Sequence, residues 1–176
     1  MILEVILETI YFFLPAGFAN MAPVFFKNYF KKIAIPLDNG KTIYGKRIFG
    51  DHKTVRGIIS GIGLGTFVAF IQSLIPYTPF QSIDYTNWFL LGILQSSGAL
   101  IGDLIKSFFK RQLDIAPGKS WIPFDQLDFV IGAIIFTEMI IQIPFQIIIT
   151  ALILAPIFHL LINRIGFLLK LKEHPW

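Results

Sequence analysis

Residues 129–163 read FVIGAIIFTEMIIQIPFQIIITALILAPIFHLLIN, an apolar block whose only charged residue is Glu138. As one helix it would be about 50 Å long at 1.5 Å per residue, whereas a bilayer core of about 30 Å takes roughly 20 residues. The block therefore folds back on itself. A turn fits best at Gln142-Ile143-Pro144, which gives spans near 127–143 and 145–163. The same length criterion selects spans near 57–76 and 87–109 further upstream. A first span near 2–26 carries Pro15 and Pro23, so a bent or broken helix is predicted there. The composition agrees: 55% of residues are hydrophobic and 15% charged, against roughly 25% charged in a soluble domain. Mean hydropathy is +0.68. The prediction is an all-α integral membrane protein, one polytopic domain over 1–176, with about five transmembrane helices. Two polar loops, near 27–56 and 110–126, separate them.

Several functions are excluded early. There is no cysteine, so neither a disulfide framework nor thiolate metal ligation is available. His52, His159 and His174 lack the paired spacing of zinc sites. Glu4 and Glu8 stand where a cleavable signal peptide would carry Lys or Arg, so none is expected. No nucleic-acid partner is expected.

The 15 Lys and Arg residues fall into three segments. Lys27, Lys31, Lys32, Lys41, Lys46, Arg47, Lys53 and Arg56 belong to the first long loop and the end of span one. Lys106, Lys110, Arg111 and Lys119 surround the second loop, and Arg164, Lys170 and Lys172 lie near the C-terminus. Alternating spans put all three segments on one face, which the positive-inside rule assigns to the cytoplasm. The N-terminus is then outside, with Glu4, Glu8, Asp84 and Glu138 on the far side. Topology and attraction to anionic headgroups suffice for Lys27, Lys31, Lys32, Lys170 and Lys172 at span ends. They do not account for the rest, because a pure anchor needs neither Asp among its Lys nor glycines.

Residues 39–57, NGKTIYGKRIFGDHKTVRG, interleave Lys46, Arg47, Lys53 and Arg56 with Gly40, Gly45, Gly50 and Gly57, and Thr54 adds a hydroxyl. Glycines free the backbone to approach a ligand, and backbone N–H groups with Lys and Arg are how proteins hold polyphosphate. A structured but inert basic loop is the alternative, and there is no Walker A pattern. In residues 102–128, GDLIKSFFKRQLDIAPGKSWIPFDQLD, the positions Asp103, Lys106, Ser107, Lys110 and Arg111 share one broad helix face. A carboxylate inside an apolar span is costly and marks either function or a buried partner. Asp103 could simply pair with Lys106, Ser107 or Lys110, and Asp125 and Asp128 could cap the next helix and complement its dipole. Three carboxylates converging beside Lys and Arg support a stronger reading. Hard oxygen ligands suit Mg²⁺, and Mg²⁺ with cationic clamps is the recurring apparatus of phosphoryl and nucleotidyl transfer.

The order Ser107-x-x-Lys110-Arg111, Pro117-Gly118, Asp125-Gln126-x-Asp128 resembles the signature of the membrane CDP-diacylglycerol synthases, the phosphatidate cytidylyltransferases. It is most similar to their archaeal branch, the CDP-archaeol synthases, which have a loop comparable to GKRIFGDHKTVRG at 45–57. The bacterial His-Gly-Gly stretch is missing, Gln126 replaces an Arg, and the Lys-Asp pair has no obvious counterpart beyond nearby Asp114. The resemblance implies a CTP-dependent cytidylyltransferase. Its lipid substrate would be an unsaturated isoprenoid ether lipid phosphate, archaetidic acid, and its products CDP-archaeol and pyrophosphate. Asp103, Asp125 and Asp128 would hold Mg²⁺. Lys110 and Arg111, together with Lys46, Arg47, Lys53, Thr54, Arg56, Lys106 and Lys119, would hold phosphates, and Ser107 could support either group. The glycine-rich loop would grip the nucleotide, and the second loop would act at the α-phosphate. Three rivals stand beside this reading. A CDP-alcohol phosphotransferase lacks support because its Asp-Gly-x-x-Ala-Arg string is absent. A small transporter with an embedded Asp would be expected to show an internal repeat, and none is visible. A scaffold dimer would use the small face of Gly57, Gly61 and Gly65. Pyrophosphate release from CTP separates the first reading from all three.

Overall fold

The computed structural model describes residues 2–75 and 83–168. Lys170, Lys172 and the expected span end at Pro76 lie outside the described residues. The helices are α1 (Ile2–Phe12), α2 (Leu14–Phe25), α3 (Val55–Leu74), α4 (Trp88–Gln112), α5 (Phe124–Thr137) and α6 (Phe145–Leu168). The loop before α3 holds a 3₁₀ turn, Lys31–Ile33, and a two-stranded antiparallel hairpin, β1 (Thr42–Ile43) and β2 (Lys46–Arg47). Tyr44 and Gly45, the two residues between the strands, both have positive φ (51° and 78°), the arrangement that matches a tight hairpin to strand twist. Among the described residues, α3 and α4 are each long and apolar enough to cross a membrane, and α1–α2 meets the same test as one broken span.

The break in the first span falls where Pro15 removes a backbone donor. The two helices bend by 46°. Tyr11 and Phe12 lose their helical partners at the bend, and neighbouring helices replace them. Gln72 Nε2 of α3 donates to the Tyr11 carbonyl at 2.6 Å, and Gln95 Nε2 of α4 donates to the Phe12 carbonyl at 3.0 Å. A buried carbonyl without a donor is expensive, more so in lipid, so two glutamines inside apolar helices are explained.

Helix α4 is central and packs against α2, α3 and α5. Small residues permit the close crossings. A Cβ on Gly61 would lie 2.9 Å from the Ala19 carbonyl oxygen, and one on Gly65 would lie 2.6 Å from that of Pro15. The Gly57–Gly61–Gly65 face thus packs within the chain, against α2, and is not open for a dimer contact. Between α4 and α5, a Cβ on Gly102 would lie 2.9 Å from the Asp128 carbonyl carbon.

The last apolar block is broken between α5 and α6, which begins at Phe145; neither is among the helices of the described residues that meet the membrane-span test. Helix α5 begins at Phe124 and stops at Thr137, before the expected limit near 143. Glu138 gives the reason: its Oε1 accepts from the Ile143 amide at 2.8 Å and closes the turn. The one charge in the block is therefore a turn-former. The loops at 26–54 and 113–123 meet at one end of the bundle, tied by Lys46 Nζ, which donates to the Gln112 carbonyl (2.7 Å) and to Asp114 Oδ2 (2.5 Å).

Candidate active site

The centre of that end is Lys106, on α4. Its ammonium lies 3.1 Å from Asp103 Oδ1, 3.1 Å from Asp125 Oδ1 and 2.9 Å from Asp128 Oδ2. Asp103 and Lys106 are one turn apart on α4, and Asp125 and Asp128 are one turn apart on α5. The glycine-mediated approach of the two helices brings the pairs together. Lys53, from the first loop, donates to Asp103 Oδ2. Lys110 Nζ lies 3.0 Å from both oxygens of Asp125 and also donates to the Lys119 carbonyl at 2.5 Å. Three carboxylates and three ammonium groups thus interlock, with side-chain exposures from 6% for Asp128 to 25% for Lys53.

The capping alternative for Asp125 does not describe its contacts. Its Oδ2 accepts from Trp121 N at 2.5 Å, closing the preceding loop, and Pro123 occupies the cap position with no side-chain bond. Asp128 Oδ1 accepts from the next amide, Phe129 N, at 2.7 Å, and leaves its other oxygen for Lys106. Asp103 does pair with Lys106, but also with Lys53. Ser107 Oγ donates instead to the Asp103 backbone carbonyl at 2.7 Å.

Beside this cluster is a cavity of about 290 Å³, lined by Lys53, Lys106, Ser107, Lys110, Arg111 and Gly118 among others. Arg111 lines it without a carboxylate partner among the described residues. Other residues expected to hold phosphate are already engaged. Thr54 caps α3, accepting from Gly57 N at 3.1 Å. Arg56 turns away to the carbonyls of Lys27 (2.7 Å) and Tyr29 (3.2 Å), pinning the end of α2. Lys46 ties the hairpin to α4, and the side chain of Lys119 is exposed.

Arg47 lines the cavity but is held by Asp38, a residue that the sequence reading passed over. Arg47 Nη2 donates to Asp38 Oδ1 at 2.6 Å and Nη1 to Asp51 Oδ1 at 2.7 Å. Asp38, whose side chain is fully buried, also accepts from Gly40 N, Phe49 N and Gly50 N at 2.9–3.1 Å. The Arg47 bond and these amides outweigh burial and hold the Asp38 carboxyl well below the usual carboxylate range. Asp38 thereby sets the path of the backbone that leads to Lys53. The available signal was local: an Asp immediately before Asn39-Gly40, the usual start of a side-chain-bonded turn.

Residues 2–176 match the family model CarS-like, CDP-archaeol synthase. The chain belongs to the CDP-archaeol synthase family. A CDP-archaeol synthase of Pyrococcus furiosus is 40% identical over 173 residues, covering 97% of this chain and 98% of that one. One from Methanocaldococcus jannaschii is 37% identical over 182 residues, covering 100% of both. A solved structure of an intramembrane enzyme for archaeal membrane lipids biosynthesis superposes with a TM-score of 0.75 at 29% identity, covering 90% of this chain and 94% of that one. The chain is thus a membrane enzyme and, by family, a nucleotidyltransferase of lipid biosynthesis, as the resemblance implied.

Proposed function

We propose that this chain transfers the cytidylyl group of CTP to archaetidic acid bearing unsaturated isoprenoid ether chains. The reaction would run at the cytoplasmic face of the cell membrane. An oxygen of the lipid phosphate attacks the α-phosphorus of CTP, the bond to the α–β bridging oxygen breaks, and CDP-archaeol and pyrophosphate form. A phosphomonoester is largely dianionic at pH 7, its second pKa being about 6, so no catalytic base is required. The observation that carries this reading is the convergence of Asp103, Asp125 and Asp128 on one ammonium beside a cation-lined cavity.

Lys106, Lys110 and Arg111 line the cavity together with Lys53 of the first loop, and in this reading they take up phosphate oxygens. Three carboxylates offer the hard oxygen donors that suit Mg²⁺. Among the described residues they are not arranged as a ready metal site, because the Lys106 ammonium stands where they converge. Asp103, Asp125 and Asp128 would therefore hold the metal only once Lys106 turns to another partner. Bound Mg²⁺ would neutralise charge developing on the phosphates. Lys53, Lys106 and Lys110 would bind phosphate oxygens in exchange for their carboxylate partners, and Asp103, Asp125 and Asp128 are the residues that would hold the metal.

The test is pyrophosphate release by the purified protein from CTP and geranylgeranyl-ether archaetidic acid, with Mg²⁺ or with excess chelator. Turnover should require the metal, and Asp128→Asn should lose on the order of a thousandfold while remaining folded. No pyrophosphate with any lipid phosphate would overturn the reading. Full turnover in chelator would remove the metal from it.

A further inference from the structure

A second cavity, of about 200 Å³, lies between α2, α3 and α4, and its lining includes Asn20, Val24, Lys53, Leu100, Asp103 and Leu104. On α4 the first cavity touches Lys106, Ser107, Lys110 and Arg111, whereas the second touches Leu100, Asp103 and Leu104, one to two turns deeper in the span. His52 and Lys53 line both. The two spaces are thus stacked along α4 and share a wall at His52 and Lys53. They differ in character. The outer one is walled by loop residues and cationic side chains. The inner one mixes apolar helix faces with the Lys53–Asp103 pair, at the level where α2 ends and α3 begins. A triphosphate fits the chemistry of the first. A group with a charged head and an apolar continuation fits the second.

Asn20 is the feature that singles out the inner cavity. Helix α2 reads LPAGFANMAPVF, and this amide is its only hydrogen-bonding side chain. It makes no side-chain hydrogen bond within the described residues. Gln72 and Gln95, the glutamines of the neighbouring helices, each donate to a carbonyl of the first span. The amide is half-buried and opens onto the cavity, where it is accessible to the oxygens of a bound headgroup.

We infer that the inner cavity is the headgroup subsite of the lipid phosphate, with Asn20 bonding its phosphate or glycerol oxygens and Lys53 standing between the two substrates. This rests on the function proposed above. Lipid enters from the bilayer side along α2 and α3, nucleotide enters from the loops, and the attacking oxygen reaches the α-phosphate at Lys53. Asn20 is a specificity residue for the lipid and not for the nucleotide.

Steady-state kinetics in each substrate tests this, with geranylgeranyl-ether archaetidic acid and CTP varied in turn. Asn20→Ala should raise the Michaelis constant for the lipid phosphate about tenfold, the cost of one hydrogen bond to a charged group, and leave that for CTP unchanged. Asn20→Asp, nearly isosteric, should impair lipid use further by repelling a dianion, and Asn20→Gln should restore part of it. Arg111→Ala should show the opposite split, weakening CTP. A second readout is independent of turnover: a lipid phosphate with a photoreactive group beside the headgroup should label residues at 20–24 and near 58. Wild-type turnover with an unchanged lipid constant in both Asn20→Ala and Asn20→Asp would overturn the subsite while leaving the proposed function standing. Labelling confined to the loop cavity would do the same. No wild-type turnover with any lipid phosphate would overturn both.

Discussion

Replacing Gly102 by Ala tests whether the contact between α4 and α5 sets the position of the acidic cluster. The added Cβ would run into the Asp128 carbonyl oxygen, and would lie 2.9 Å from its carbonyl carbon and 3.4 Å from Gly132 Cα. All of these neighbours are backbone, so no side chain can rotate away, and α5 must retreat by about an ångström. Overpacking of this kind costs about 1–3 kcal/mol. Asp128 is the residue pushed, and its carboxylate is held 2.9 Å from Lys106. A 1 Å misplacement of reacting groups can cost about a hundredfold in rate, so Gly102→Ala should lose ten- to a hundredfold in turnover as well as thermal stability. Gly63→Ala is the control. It makes the same chemical change on a helix where a Cβ meets nothing within 4 Å, and it should match or exceed the wild type in stability. The assay is pyrophosphate release at saturating substrates, with thermal unfolding in the same detergent. Wild-type turnover and stability in Gly102→Ala would refute the idea that this backbone contact places Asp128.

Two further outcomes are expected. Because the described ends of the basic loops meet, single cysteines at Gly40 and Lys119 should react with an impermeant thiol reagent from the same side and one at Tyr85 from the other, a clean test in a chain with no cysteine; labelling of Gly40→Cys and Lys119→Cys from opposite sides would break the shared site. Asp38, whose carboxyl is held below its ordinary range, contributes stability that is complete above about pH 4 and is lost as pH falls through its depressed folded value. Asp38→Asn should therefore unfold at lower temperature than the wild type at pH 7, with the gap closing under acid; a gap that is absent at pH 7, or undiminished at pH 2, would contradict the role given to Asp38.

Apolar run length made α3, α4 and the broken first span legible, because a bilayer imposes a length that few other environments do, whereas α5, of 14 residues, falls short of that length. Spacing also revealed the acidic and basic face of α4, since helical periodicity is a local property. The tertiary meaning of those residues was not local. Lys106 reads as one phosphate ligand among several, and only the crossing of α4 over α5 makes it the hub of three carboxylates. Arg56 and Thr54 look like phosphate ligands in a glycine-rich string. Helix α3 begins at Val55, however, which turns Thr54 into a cap and swings Arg56 toward Lys27. A shift of two residues in a helix boundary, from 57 to 55, is enough to reassign both. Gln72 and Gln95 gave no usable sign because their partners are carbonyls distant in sequence, released by a proline.

Those two glutamines bear on how the protein enters the membrane. Synthesis delivers the first span before α3 and α4 exist, yet the Tyr11 and Phe12 carbonyls find their donors only on those later helices. Until α3 and α4 arrive, the N-terminal segment must keep the bend hydrated near the interface or leave two carbonyls bare in hydrocarbon, and the second course costs several kcal/mol for each group. Pro15 bends the segment from the start, but the pairing of its two freed carbonyls is a late event, completed when α3 and α4 dock.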